Sequence, residues 1–160
     1  MSLENWSSPD EDLSIDTCLD GFGAISSNQF VHALFPFSKE NQLHINCLEL
    51  LAIVIATKIW GHKIKGKQIL IFCDNEASVY VIDSGSTKDT FMQNFLRELC
   101  YIEAIYQFEI KAKHIVGEEN RLEDYLSRWH IHSRYQNRFV SELNFRIMKK
   151  FKFLILAIIF

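Results

Sequence analysis

The 160-residue chain has no run of about eighteen apolar residues, no Cys-x-x-Cys pair, no internal repeat and no net positive charge. The first absence argues against a membrane-spanning helix, because a crossing needs about twenty apolar residues and the closing FKFLILAIIF is about half that. No membrane partner is expected. That closing run fits equally packing against the domain, continuation into a longer chain, or an out-of-frame tail. Cys18, Cys47, Cys73 and Cys100 are scattered, which suggests neither a zinc knuckle nor a disulfide framework, and they read as small buried hydrophobes. With no secretory leader apparent at the start, an intracellular setting, cytoplasm or nucleus, is expected. A formal charge of −3 gives no global attraction for a polyanion. Such a partner must be met locally.

What the chain does have is apolar mass: 48% of its residues, enough for one substantial core at this length. Residues 1–12 are polar and acidic and read as a flexible lead-in, with the fold beginning at residue 13. LSIDTC alternates as a strand. In DGFGAISS the glycines Gly21 and Gly23 suit a tight turn, and QFVHALFPF completes a three-strand antiparallel meander. NCLELLAIVIATKIW is apolar almost all round and too long for a strand, which predicts a helix buried against a sheet. KQILIFC follows as a central strand, then a short helix from Asp74. A longer helix from Thr90 to Tyr106 carries a stripe of Phe91, Phe95, Leu99 and Ile102. FEIKAKHI alternates as a fifth strand, and NRLEDYLSRW forms a final helix. This order implies an α/β layer fold, a five-stranded mixed sheet flanked by helices over residues 13–129. Residues 130–160 form a basic and then hydrophobic extension.

Four acidic residues fall at positions that an apolar context makes costly. Asp16 interrupts an apolar strand. Glu49 sits one turn into the buried helix, where Asn46-x-x-Glu49 also has the form of a capping box. Asp74 ends a central strand just before a helix, a place used both for caps and for ligand sites. Asp124 lies on the last helix, ten residues after His114. Each has an ordinary explanation alone. Together, carboxylates brought to one place repel, and become favourable only when cations are supplied. All-oxygen ligation points to magnesium or manganese rather than zinc.

The segments IDTCLDGFGA, HINCLELLA, CDNEASV and HIVGEENRLEDYLSRW resemble the ribonuclease H domain of reverse-transcribing elements, closest to gypsy-type and DIRS-like retrotransposons, over about residues 13–129. The resemblance implies a ribonuclease H-like fold, three antiparallel strands followed by two parallel additions. It places the family's metal-binding carboxylates on Asp16, Glu49, Asp74 and Asp124, and its mobile catalytic-loop histidine on His114. It also implies two Mg²⁺ ions, or Mn²⁺, activating water and stabilising the leaving oxygen. The expected substrate is the RNA strand of an RNA/DNA hybrid, sensed through 2′-hydroxyls. Gly21 and Phe22 in the expected turn, with Asn75 and Ser78 at the start of the short helix, are expected to contact its backbone; Asn75 serves equally as a helix cap. Lys111, Lys113 and Arg128 are further phosphate-contact candidates. A polymerase domain of a reverse transcriptase is the expected protein partner, although no YxDD-like polymerase signature occurs in these residues.

Two departures stand out. Thr17-Cys18 replaces the family's usual Ala-Ser pair, and Glu123 replaces alanine before the last aspartate, adding charge near a phosphate site. The second predicts reduced activity. It also suits an alternative, a catalytically inactive relic or connection-type interaction module.

Overall fold

In the computed structural model, which describes residues 8–159 with side chains through Arg146, five strands form one sheet in the order β3-β2-β1-β4-β5. They are β1 (Glu11–Thr17), β2 (Gly21–Ser26), β3 (Gln29–Leu34), β4 (Gln68–Cys73) and β5 (Glu109–His114). The first three run antiparallel, while β4 adds parallel to β1 and β5 parallel to β4, as the element order implied. Helices α1 (Ile45–Ile64), α2 (Glu76–Ser84) and α3 (Thr90–Tyr106) connect them, and α4 (Arg121–Ser127) and α5 (Ser133–Ile159) follow β5.

Strand alternation divides β1 between two layers. Leu13 and Ile15 join the main core with Leu48, Leu50 and Ile53 of α1. Ser14 and Asp16 face the opposite way, each hydrogen-bonded to α4. Helix α1 is long and apolar enough to cross a membrane by length and composition. Its composition answers to burial instead: Leu48, Leu50, Ala52, Ile53 and Ala56 are fully enclosed, each large one contributing roughly 2 kcal/mol.

Several expectations need correction. The first strand begins at Glu11, so residues 11 and 12 belong to the sheet; Glu11 is buried and paired with Lys63 and Lys67. Residues 1–7 of the expected lead-in lie outside the described residues. Gly21 and Gly23 stand within β2 rather than in a turn, and neither has positive φ. Their lack of a side chain serves close approach: a Cβ on Gly23 would fall 2.2 Å from the Leu126 Cβ, and one on Gly21 would fall 2.8 Å from the Ala33 carbonyl. The α3 stripe that reaches the core is Met92, Leu96, Leu99 and Ile102, one residue out of phase with the expected one at its start, and Phe91 is exposed. Packing also continues past Trp129, since Phe139 of α5 is buried against Leu122 and Leu126. The FKFLILAIIF side chains lie outside the described residues.

Candidate active site

Where the carboxyl ends of β1 and β4 meet the start of α1 and the first turn of α4, Asp16 and Asp74 lie within electrostatic reach of each other, of Glu49 and of Asp124. Asp16, near the end of β1, is only 5% exposed, not the outward-facing residue an ordinary strand aspartate would be. Its Oδ2 accepts from the Ser127 hydroxyl at 2.6 Å. Burial, opposed by that hydrogen bond and reinforced by Asp74 and Asp124, pushes its carboxyl up to about 7.

Glu49 is more enclosed still, at 1% exposure. It does not cap α1. The helix starts at Ile45, capped by His44, whose Nδ1 accepts from the Asn46 N–H at 3.2 Å. Glu49 Oε2 instead accepts from the Thr17 hydroxyl, so the residue that departs from the usual Ala-Ser pair orients this carboxylate. Its other oxygen, Oε1, is buried with no hydrogen-bond partner. Burial, with Asp16 and Asp74 nearby, raises Glu49 well above the ordinary carboxylate range despite the Thr17 bond.

Asp74 follows β4 and is exposed. Partial burial and Asp124 raise its carboxyl, while His114 and Arg128 lower it. His114 is the last residue of β5, paired in register with Cys73, rather than a loop residue. Its ring is exposed, with Nε2 3.2 Å from the Asp74 carbonyl oxygen. The turn Gly117–Glu119 after it passes beside Asp74.

Asp124 arrives on α4, whose N-cap is Asn120. That asparagine is fully buried and donates to the Ile15 carbonyl at 2.9 Å, fastening the start of α4 to β1 beside Asp16. Asp124 Oδ1 accepts from Arg128 Nε at 2.6 Å. Among the described residues no three His, Cys, Asp or Glu side chains are drawn together closely enough to hold a metal ion as they stand. The chemistry of the donors nevertheless fits one: an orphaned, enclosed carboxylate oxygen within the electrostatic influence of two further carboxylates is a group that a hard cation satisfies and water does not reach.

The other anticipated contacts have structural duties. Asn75 caps α2, accepting from the Ser78 N–H at 2.9 Å and donating to Asn46 Oδ1 at 2.8 Å. Ser78 is fully buried, donating to the Asn46 carbonyl, and Phe22 is buried in the main core against Phe35. Lys111 is buried, whereas Lys113 is exposed. Glu123 accepts from the Ser14 hydroxyl at 2.6 Å and lines a cleft with Ile25, Phe30 and Phe139, so the charge expected to burden the phosphate site has its own partner. Sequence reasoning missed Thr17 as a support, along with Ser127 and Asn120. The hydroxyl and amide side chains beside each acid were the available signal.

A family model described as the RNase H-like domain found in reverse transcriptase matches residues 35–101, which include Glu49 and Asp74. The fold is similar to RNase H1 from the archaeon Halobacterium salinarum, with a TM-score of 0.60 at 12% identity over 72% of this chain and 92% of that one. The chain has a ribonuclease H-like fold. Another ribonuclease H similar in fold is LC11-RNase H1 in complex with an RNA/DNA hybrid, at TM-score 0.61 and 14% identity over 73% of this chain and 93% of that one. Prototype foamy virus protease-reverse transcriptase is similar over 79% of this chain and 21% of its own, at TM-score 0.51 and 16% identity. No curated protein matches the sequence. Asp16, His114 and Asp124 lie outside the matched span, so their grouping with Glu49 and Asp74 rests on the geometry above.

Proposed function

We propose that this chain is a divalent-metal-dependent endoribonuclease that cleaves the RNA strand of RNA/DNA hybrids, as the ribonuclease H part of a retroelement reverse transcriptase. The observation that carries this reading is the unpartnered, enclosed Glu49 Oε1, on a side chain that feels the charges of Asp16 and Asp74. Asp16, Glu49, Asp74 and Asp124 would hold Mg²⁺ or Mn²⁺. Bound there, such ions supply an activated water and stabilise charge on the leaving oxygen. The chain's own residues position. Ser127 and Thr17 fix the orientation of the two most buried carboxylates, and Asn120 fixes α4, which brings Asp124. His114 stands at the exposed rim, where a ring nitrogen can take up or release a proton beside a bound phosphodiester. The hybrid bound by LC11-RNase H1 supports the substrate class, and the foamy virus similarity supports a polymerase domain as partner.

Purified protein with Mg²⁺ should cut labelled RNA paired to DNA and leave single-stranded RNA intact, and Asp74→Asn should stop it. Cleavage surviving that substitution would refute the assignment. An inert module that binds hybrid or packs against a polymerase is the second reading, favoured by the engagement of Asp124 with Arg128. Hybrid binding without cleavage, with no divalent-ion uptake, would establish it.

A further inference from the structure

Arg128 immediately follows α4, and its backbone is fixed by bonds from its N–H to the carbonyls of Asp124 and Leu126. Its guanidinium makes the 2.6 Å contact with Asp124 and also meets the Tyr135 hydroxyl of α5. The side chain is 43% exposed, so it is held at the rim of the cluster rather than sealed inside it. Its charge reaches Asp16 and Asp74 as well. A guanidinium cannot relieve crowding by losing its proton, so wherever it lies it remains a full positive charge. The cluster therefore contains one resident cation, placed on the member that lies farthest along the chain from the orphaned Glu49 oxygen.

We propose that Arg128 is an internal counter-cation that occupies Asp124 while the cluster holds no metal, and that a divalent ion displaces it outward, where it grips a phosphate of the hybrid backbone. This deepens the nuclease reading and rests on it. The displacement is short. Rotating the side chain away from Asp124 keeps the backbone anchors and leaves the guanidinium beside Tyr135, facing solvent. There its forked donors suit a phosphodiester, and a phosphate would take the place of the carboxylate as their acceptor. The arrangement also accounts for the absence of a closed ligand cage among the described residues: one of the four carboxylates is turned to a protein partner.

The test uses the full chain. Calorimetric titration with MnCl₂ or MgCl₂ alone should show Arg128→Gln binding the ion up to roughly fivefold more tightly than the wild type, the upper end of the range of a partly exposed ion pair. Arg128→Lys, which keeps the charge, should lie between the two. With Ca²⁺ used to bind a hybrid without cutting it, the salt dependence of Arg128→Gln should fall by about one unit of slope, because one phosphate fewer is neutralised by the protein. Unchanged or weaker metal affinity in Arg128→Gln would overturn the proposal, because an arginine that merely orients Asp124 would weaken ion binding when removed. An unaltered salt slope would overturn the phosphate grip. If the wild type takes up no ion and Arg128→Gln does, the counter-cation role stands in a stronger form; if neither does, the nuclease reading falls and this inference with it. Wild-type uptake and cleavage with no gain in the variant defeats the inference alone.

Discussion

Strand β1 carries a buried carboxylate near each end, and their surroundings are opposite. Glu11 accepts from Lys63 at 2.9 Å and Lys67 at 3.0 Å, with the hydroxyls of Ser26 and Ser27 on the same group. Burial alone would raise it, but the lysines and Ser27 outweigh burial and lower it to about 2. Asp16, five residues on, has a serine hydroxyl and neighbouring carboxylates, and is raised to about 7. One end of the strand is electrostatically complete. The other gathers carboxylates in excess of its cations, which is where a structural ion pair and a candidate reaction centre part company.

The comparison breaks most visibly if the unfinished end is neutralised. Glu49→Gln should lower hybrid cleavage by at least about a thousandfold, since removing a metal ligand forfeits several kcal/mol of charge stabilisation. The same variant should be more resistant to urea than the wild type at pH 8 in chelator, because it removes an uncompensated buried charge. Loss of both activity and stability would mean that Glu49 is structural.

Next in size is the helix that brings Asp124. Gly23→Ala pushes a methyl into the Leu126 Cβ and comes within 2.8 Å of the Glu123 carbonyl and the Ser127 nitrogen. Denaturant titration should show a loss of about 3 kcal/mol, with cleavage falling further than stability because α4 is displaced. Retention of both would show that α4 can shift without consequence.

The pH dependence of the metal-free protein separates the two ends. An acid raised from 3.8 unfolded to about 7 folded keeps its proton longer in the native state, so stability falls as pH rises through that window and levels off above it. Between pH 5.5 and 8 in chelator, Asp16 should cost about 2 kcal/mol, with Glu49 acting in the same direction and Mg²⁺ restoring the loss. Glu11 works the other way: its contribution is full above its unfolded value of 4.5 and disappears as pH falls towards about 2, outside this window. Flat stability from pH 5.5 to 8 would argue that burial and the neighbouring carboxylates do not hold a proton on Asp16 and Glu49.

The smallest effect is expected at the completed end. Glu11→Gln should cost about 1 to 2 kcal/mol, less than a sealed pair because Lys63 and Lys67 keep contact with water, and should leave metal affinity unaltered. A change in metal affinity would show the two ends to be coupled.

The sheet, Asp16 and Glu49 were legible because their signals are local, whereas Asp74 and Asp124 joined them only through the resemblance. Alternation sets a strand, an apolar run of helical length sets α1, and a charge inside either is conspicuous. The partners were not legible. Thr17 and Glu49 are 32 residues apart and Asp16 and Ser127 are 111 apart, so only the folded chain joins them. Glycine was ambiguous between a turn and a close approach, and at Gly23 the approach of α4 decided it. In α3, aromatic residues on the neighbouring helical phase drew the predicted stripe away from Met92 and Leu96, which pack in the core. His114 was read onto a loop because the strand ends there, at the residue paired with Cys73.

The most direct test is a calorimetric titration of Mn²⁺ into the wild type and Glu49→Gln at pH 8. Saturable uptake by the wild type, abolished in Glu49→Gln, is the predicted result. No uptake by either the wild type or Arg128→Gln, or uptake indifferent to Glu49, would contradict a cation site at the end of β1.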